Sequence, residues 1–231
     1  MVIRIFALLL LCMAMAGCSE ALEGVSNISE RVRLQALSQE AARLHDDGQT
    51  QQAIDKFETI VQSPQATNSQ KADALRVISL GYYELGDYQR SGEYAAKAAA
   101  LYPKGSYEYL VNMADADLMQ DRVPEAIVRL EQALLLGPRK VSVNNVLGLV
   151  YLGDNGAEYA DYRKALTYNQ VAQELAPGRI TAIALARNYL YLEEYAQARD
   201  LLGGLSERHR EDAEVQALLQ EAQAGLDQAG E

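Results

Sequence analysis

The chain has 231 residues, 49% hydrophobic and 23% charged, a composition that belongs to a folded protein and argues against wholesale disorder. Its net charge of −11 supplies no basic stripe to neutralise phosphates, which argues against a nucleic-acid partner. Two His and two Cys leave too few ligands for a multi-ligand zinc site or a disulfide scaffold. There is no Trp, and 14 Tyr stand against 2 Phe, so the aromatic positions of the fold fall to tyrosine.

In chain order, residues 1–17 come first, with Arg4 as a short positive region and an apolar run from Ile5 to Met15. That run is too short to span a bilayer as a mature helix and reads as a signal segment. It ends in Met15-Ala16-Gly17-Cys18, followed by Ser19. Residues 18–33 read as a short linker. From there the apolar residues fall at helical spacing and return in phase. Residues 34–67 carry Leu37, Ala41, Leu44, a turn at Asp47-Gly48, then Ala53, Phe57 and Ile60. Residues 72–105 carry Leu75, Ile78, Ser79, Tyr82, the turn Gly86-Asp87-Tyr88, then Ser91, Ala95, Ala98 and Pro103. Residues 107–140 repeat this with Leu110, Met113, Ala114, Ala126, Leu130, Ala133 and Pro138. Pro124 opens the second helix, where its missing N–H costs nothing, and Asp117 stands where Tyr is expected.

Residues 141–178 carry Leu147, Gly148, Tyr151, Ala165, Ala172 and Pro177, with Asn144 and Asn169 out of pattern. About five extra residues fall within Gly153–Asp161, between the two helices. Residues 179–212 keep Ala182, Leu185, Ala186, Tyr189, Ala198 and Leu202. The tail, 213–231, has Val215, Leu218, Leu219, Ala222 and Leu226 at helical spacing with a polar outer face, as a terminal cap requires. Each helix pair leaves its apolar face unburied alone, so stacking is needed to build a continuous core.

Two resemblances follow from these residues. Small residues before Cys18 resemble the lipobox of bacterial lipoproteins. That resemblance implies removal of residues 1–17, lipidation of Cys18, and, with Ser19 after it, outer-membrane sorting. Such a cut removes Arg4 and Cys12 and no acid, leaving the mature chain one unit more acidic. The in-phase copies over 34–212 resemble tetratricopeptide repeat (TPR) proteins. They imply an all-α, right-handed superhelix of about five helix-turn-helix repeats with a C-terminal capping helix.

In that family a peptide lies in a groove lined by the first helices. Carried over, the groove positions include Arg76, Tyr83 and Glu84 with Asp73 and Leu80; Glu108, Asp115 and Met119; Asn145, Leu149 and Leu152; and Ile183, Arg187, Leu190 and Tyr191. The subclass that clamps a C-terminal carboxylate needs Lys and Asn where this chain has Arg76 and Leu80, then Asn145 and Leu149, so its set is incomplete. Asp154, Glu158 and Asp161 in the inserted segment lack the register of a calcium loop. His45 and His209 fall in different repeats, too far apart to share a metal or triad, and no Gly-rich phosphate loop is present. No catalytic residue, metal or cofactor is expected, and the chain reads as a non-enzyme.

By resemblance the expected role is a periplasm-facing, outer-membrane lipoprotein that acts as a protein-interaction adaptor in assembling a pilus or secretion system. Its partners would be a secretin, a pilin or another envelope subunit, with the membrane reached through the lipid. Scaffolding of peptidoglycan hydrolases or synthases, or a role as a polysaccharide export accessory, are the alternatives.

Overall fold

A computed structural model describes residues 29–205, 209 and 211–230; the signal segment and Cys18 lie outside them. Every regular element among these residues is helical. The helices are α1 (29–46), α2 (Thr50–Gln62), α3 (Asn68–Glu84), α4 (Tyr88–Ala99), α5 (Tyr107–Met119), α6 (Val123–Leu136), α7 (Val141–Leu152), α8 (Tyr162–Leu175), α9 (Arg179–Tyr191), α10 (Tyr195–Gly203) and α11 (Ala213–Ala229). A single 3₁₀ turn, Ala157–Tyr159, lies in the inserted segment between α7 and α8. Residues 29–33, expected as linker, are already helical in α1. No described helix is long and apolar enough to cross a membrane.

Local chemistry sets the helix starts. Thr67 and Gln70 form a reciprocal capping box at α3. Asp87, Ser106, Asp161 and Asp212 each accept a backbone N–H in the first turn of α4, α5, α8 and α11. Arg122 supplies no such cap to α6, which starts instead with Pro124 in its first turn. The turns that follow first helices need a left-handed residue. Gly48 and Gly86 provide it at φ 74° and 77°, whereas Asp121 and Glu193 hold φ 57° and 61°.

The described residues divide into two compact units, the first ending at Tyr102 and the second beginning at Pro103. In the first, α1 to α4 enclose a core of Leu34, Ala41, Ile54, Phe57, Ile60, Ala74, Ile78 and Tyr82. Gly81 lets α3 approach the Ile54 side chain to 3.0 Å from where a Cβ would stand. Ser79, at the close-approach position, donates to the Ser91 carbonyl at 2.8 Å, so the buried hydroxyl is satisfied.

In the second unit, α5 to α8 surround Leu110, Ala114, Ala126, Leu130, Ala133, Leu147 and Ala165. The terminal helix α11 then closes the unit. Val215 packs with Ala182, Ile183, Ala186 and Leu202, and Ala222 packs with Leu190 and Ala198. Arg179 at the start of α9 forms an ion pair with Asp212 at 2.8 Å and another with Glu214 at 2.8 Å. The Arg179 hydrogen bond and the α11 backbone N–H groups hold the Asp212 carboxyl down at about 2.

Candidate functional site

Each unit places some of the expected groove residues on its surface. In the first unit, α3 exposes Asp73, Arg76, Leu80, Tyr83 and Glu84 along one face, spaced at three and four residues. Tyr83 meets Tyr88 at 5.5 Å between ring centroids, so two exposed aromatics stand together at the α3–α4 turn. Glu84 lies 3.0 Å from the His45 ring nitrogen of α1, which holds that carboxylate at the edge of the face. Leu80 and Tyr83 are thus exposed apolar groups beside the exposed Arg76, a lining suited to a partner segment that is apolar with an acidic residue.

The second unit sorts its expected residues by burial. Glu108 is exposed in the first turn of α5, and Asp115 and Met119 farther along it are half-buried. Asn145 and Leu149 on α7 are half-buried, and the Asn145 side-chain oxygen is buried without a hydrogen-bond partner. Leu152, Ile183 and Leu190 present almost no surface, because each belongs to a core cluster. The last two are covered by α11. A helix packed against α7, α8, α10 and α11 has no open side to spare at these positions.

Arg187 and Tyr191 on α9 already have partners. The Arg187 guanidinium donates to both carboxylate oxygens of Asp154, at 3.0 and 2.5 Å, and that contact raises its pKa. Tyr191 stacks on Tyr162 with ring centroids 4.7 Å apart and planes 3° from parallel. The inserted segment is therefore fastened onto α9 rather than free. Gly153 at φ 91° turns the chain out of α7, and Asp161 returns it with an N–H to the Tyr151 carbonyl at 2.8 Å. Asp154 turns to Arg187 and Asp161 caps α8, so the insertion's acids are used separately. Among the described residues no group of His, Cys, Asp and Glu is arranged to hold a metal. Sequence reasoning missed Asp154 and Tyr162 as partners of Arg187 and Tyr191; for Asp154 the inserted residues themselves were the available signal.

Buried polar groups mark the second unit. Asp117 is almost wholly buried and forms ion pairs with Arg122 and, at 2.6 Å, with Arg129. Asn169 and Asn188 are fully buried; Asn188 donates to the Tyr162 carbonyl at 2.8 Å and accepts from Asn169 at 3.4 Å. Gly148 makes room for Asn169, whose side-chain oxygen would lie 1.9 Å from an added Cβ.

No protein-family model matches the chain, and no curated protein does. Solved structures do resemble it. A thermophilic TPR protein of Thermus thermophilus, TTC0263, is 19% identical, with 83% of this chain and 99% of that one covered and a TM-score of 0.66. MamA of Desulfovibrio magneticus RS-1 is 19% identical over 78% of this chain and 97% of that one, with a TM-score of 0.49. A tetratricopeptide repeat protein of Parabacteroides merdae ATCC 43184 is 14% identical over 85% of this chain and 78% of that one, also at 0.49. The fold is that of TPR proteins: helical repeats closed by a C-terminal helix.

Proposed function

We propose that the protein is an outer-membrane lipoprotein, anchored through Cys18 and facing the periplasm, whose repeats act as a protein-interaction adaptor. The machine it serves is a pilus or secretion system, with a secretin, pilin or similar subunit as partner. The observation that carries the adaptor reading is the α3 face, where Arg76, Leu80 and Tyr83 stand exposed side by side on a rigid helix. The anchor rests on the Met15-Ala16-Gly17-Cys18 segment after its apolar run. The pilus or secretion context rests on the likeness in length and layout to small TPR lipoproteins of such systems, and fold alone does not supply it. A lipid tether would raise the local concentration of the adaptor around a membrane-embedded subunit.

The test is crosslinking and pull-down of tagged protein from native membranes, with Arg76→Glu/Tyr83→Ala beside the wild type and mass spectrometry to name the partners. Pilus or secretin subunits captured by the wild type and lost with the variant are the expected result. Cell-wall hydrolases or synthases in their place overturn the pilus reading in favour of wall scaffolding. Cys18→Ala should release the chain from the membrane fraction; retention there refutes the anchor.

A further inference from the structure

Helix α6 differs from the other second helices in what it turns outward. At the same register, α4 exposes Gln89 and Glu93, and α8 exposes Arg163 and Thr167. Helix α6 exposes Pro124 and Val128, followed by Leu135 and Leu136. Leu135 is 85% exposed, Leu136 59% and Val128 53%. Pro124, Val128 and Leu135 recur at four and seven residues, so they lie on one stripe of the helix. A shallow depression of about 350 Å³ runs beside the first part of that stripe, lined by Pro124, Glu125, Val128, Arg129 and Gln132. The stripe therefore carries a projecting Leu135 at one end and a hollow at the other, with Val128 and Leu135 roughly 10 Å apart along the axis.

That order is self-complementary under a two-fold operation. Two copies of α6 laid antiparallel, with the axis beside Gln132, seat each Leu135 in the other's hollow against Val128. Each Gln132 then faces Gln132 of the second copy. The charges follow the same order: Glu125 stands at the start of the stripe and Arg139 just past its end, so an antiparallel pair sets each Glu125 against the second copy's Arg139. Arg139 is available for this. Its own contact, to Glu174 at 2.8 Å, joins two side chains that are both more than half exposed, the kind of pair that holds little. We infer that this face of α6 is the isologous contact of a homodimer. The patch is small, so the dimer is weak in dilute solution and forms where chains are concentrated.

Site-directed disulfide crosslinking of the full chain in its native membranes tests this, with the wild-type chain as the background for any native cysteine. Gln132→Cys should give a crosslinked dimer under mild oxidation. Val128→Cys/Leu135→Cys should do so as well, whereas neither single change should, since its two cysteines lie too far apart to bridge. Glu93→Cys, the α4 counterpart of Val128, should stay monomeric. Adding Glu125→Arg to Gln132→Cys should cut the dimer yield about ten-fold, and adding Arg139→Glu to that should restore it. All these residues are exposed, so circular dichroism should show the fold intact. A Gln132→Cys chain that stays monomeric or couples to a different protein overturns the inference. So does a crosslink that survives Leu135→Asp, or a charge reversal that Arg139→Glu fails to rescue.

Discussion

The same register positions are solved in two different ways by the helix pairs α3/α4 and α5/α6. In α3/α4, Tyr82 stands three residues after the close-approach Ser79 and packs on Tyr94 at 5.3 Å between centroids. Arg90 lies over the Tyr82 ring at 4.3 Å and bonds the Asp87 carboxylate at 2.6 Å, while Asp87 caps α4. In α5/α6 the equivalents are Asp117, Arg129, Glu125 and Arg122 in place of Tyr82, Tyr94, Arg90 and Asp87. The ring pair has become a buried carboxylate held by two arginines, and the capping acid has become one of those arginines. The pair α7/α8 returns to the first solution: Tyr151 stacks on Tyr168 at 5.8 Å, Lys164 lies over Tyr151, and Asp161 caps α8. Asp117 is thus one member of a concerted exchange, in which an aromatic contact that buries apolar surface gives way to a desolvated ion pair.

Breaking the ionic version should have the largest effect. Arg129→Leu leaves the buried Asp117 with Arg122 alone and should cost about 3 kcal/mol, read as a shift of the urea midpoint. The sharper experiment grafts the neighbouring solution. Asp117→Tyr with Arg122→Asp, Glu125→Arg and Arg129→Tyr should recover most of that loss, because a packed apolar pair replaces a buried ion pair at little or no net cost. A graft no more stable than Arg129→Leu would show that the ionic set is tied to its surroundings and is not interchangeable.

A second contrast concerns small and large partners. Ala114 faces Leu130 across one helix pair, whereas the corresponding residues of the next pair are Gly148 and Asn169. Gly148→Ala drives a methyl into the Asn169 side chain and should destabilise by roughly 1–3 kcal/mol. Gly148→Ala/Asn169→Leu, which imports the other pair, should lose less than the single change. Equal losses would mean that Asn169 is needed for its contact with Asn188 and not merely accommodated.

The turns after the first helices give a smaller effect of opposite sign in the two units. Gly86→Ala meets no atom within 4 Å, so its cost is conformational, about 1 kcal/mol. Glu193→Gly, at the equivalent turn after α9, should gain up to about 1 kcal/mol by relieving a left-handed non-glycine residue. Matched thermal melts of the two variants measure both.

These comparisons show how far the sequence could be read. The helix pairs were legible because Ala41, Ala114, Ala186 and their companions return in phase, and close packing admits only small residues there. Asp117, Asn144 and Asn169 were visible as departures, but their meaning lay in residues five to nineteen positions away, such as Arg122, Arg129, Pro138 and Asn188. Of the expected groove, Arg76 and Tyr83 are exposed, while Ile183 and Leu190 are buried. A 3.6-residue period assigns residues to faces without saying which face a later helix will cover. Helix α9 is apolar on nearly every side because α11 closes over it, and the pattern alone does not distinguish that from an open groove.

The smallest expected effect separates the tyrosine solution from the ionic one by pH. Burial, and then the nearby Glu131 that accepts from its hydroxyl, push the Tyr151 phenol up to about 12. An unfolded chain has its tyrosines near 10. A group whose folded pKa lies above its unfolded one stabilises fully below the unfolded value and loses that contribution as pH rises through the folded one. The contribution of Tyr151 should therefore be intact below about pH 10 and fade between about 10 and 12. Tyr94 is pushed up as well, by its hydrogen bond to Glu58 at 2.6 Å and by burial, and adds to the same alkaline loss in the first unit. The slots held by Asp117 and Arg129 carry no phenol. Tyr151→Phe should flatten the alkaline fall in stability relative to wild type and remove one late-titrating step from the tyrosinate absorbance. If the fall is unchanged, the phenol is not what the helix pair is holding.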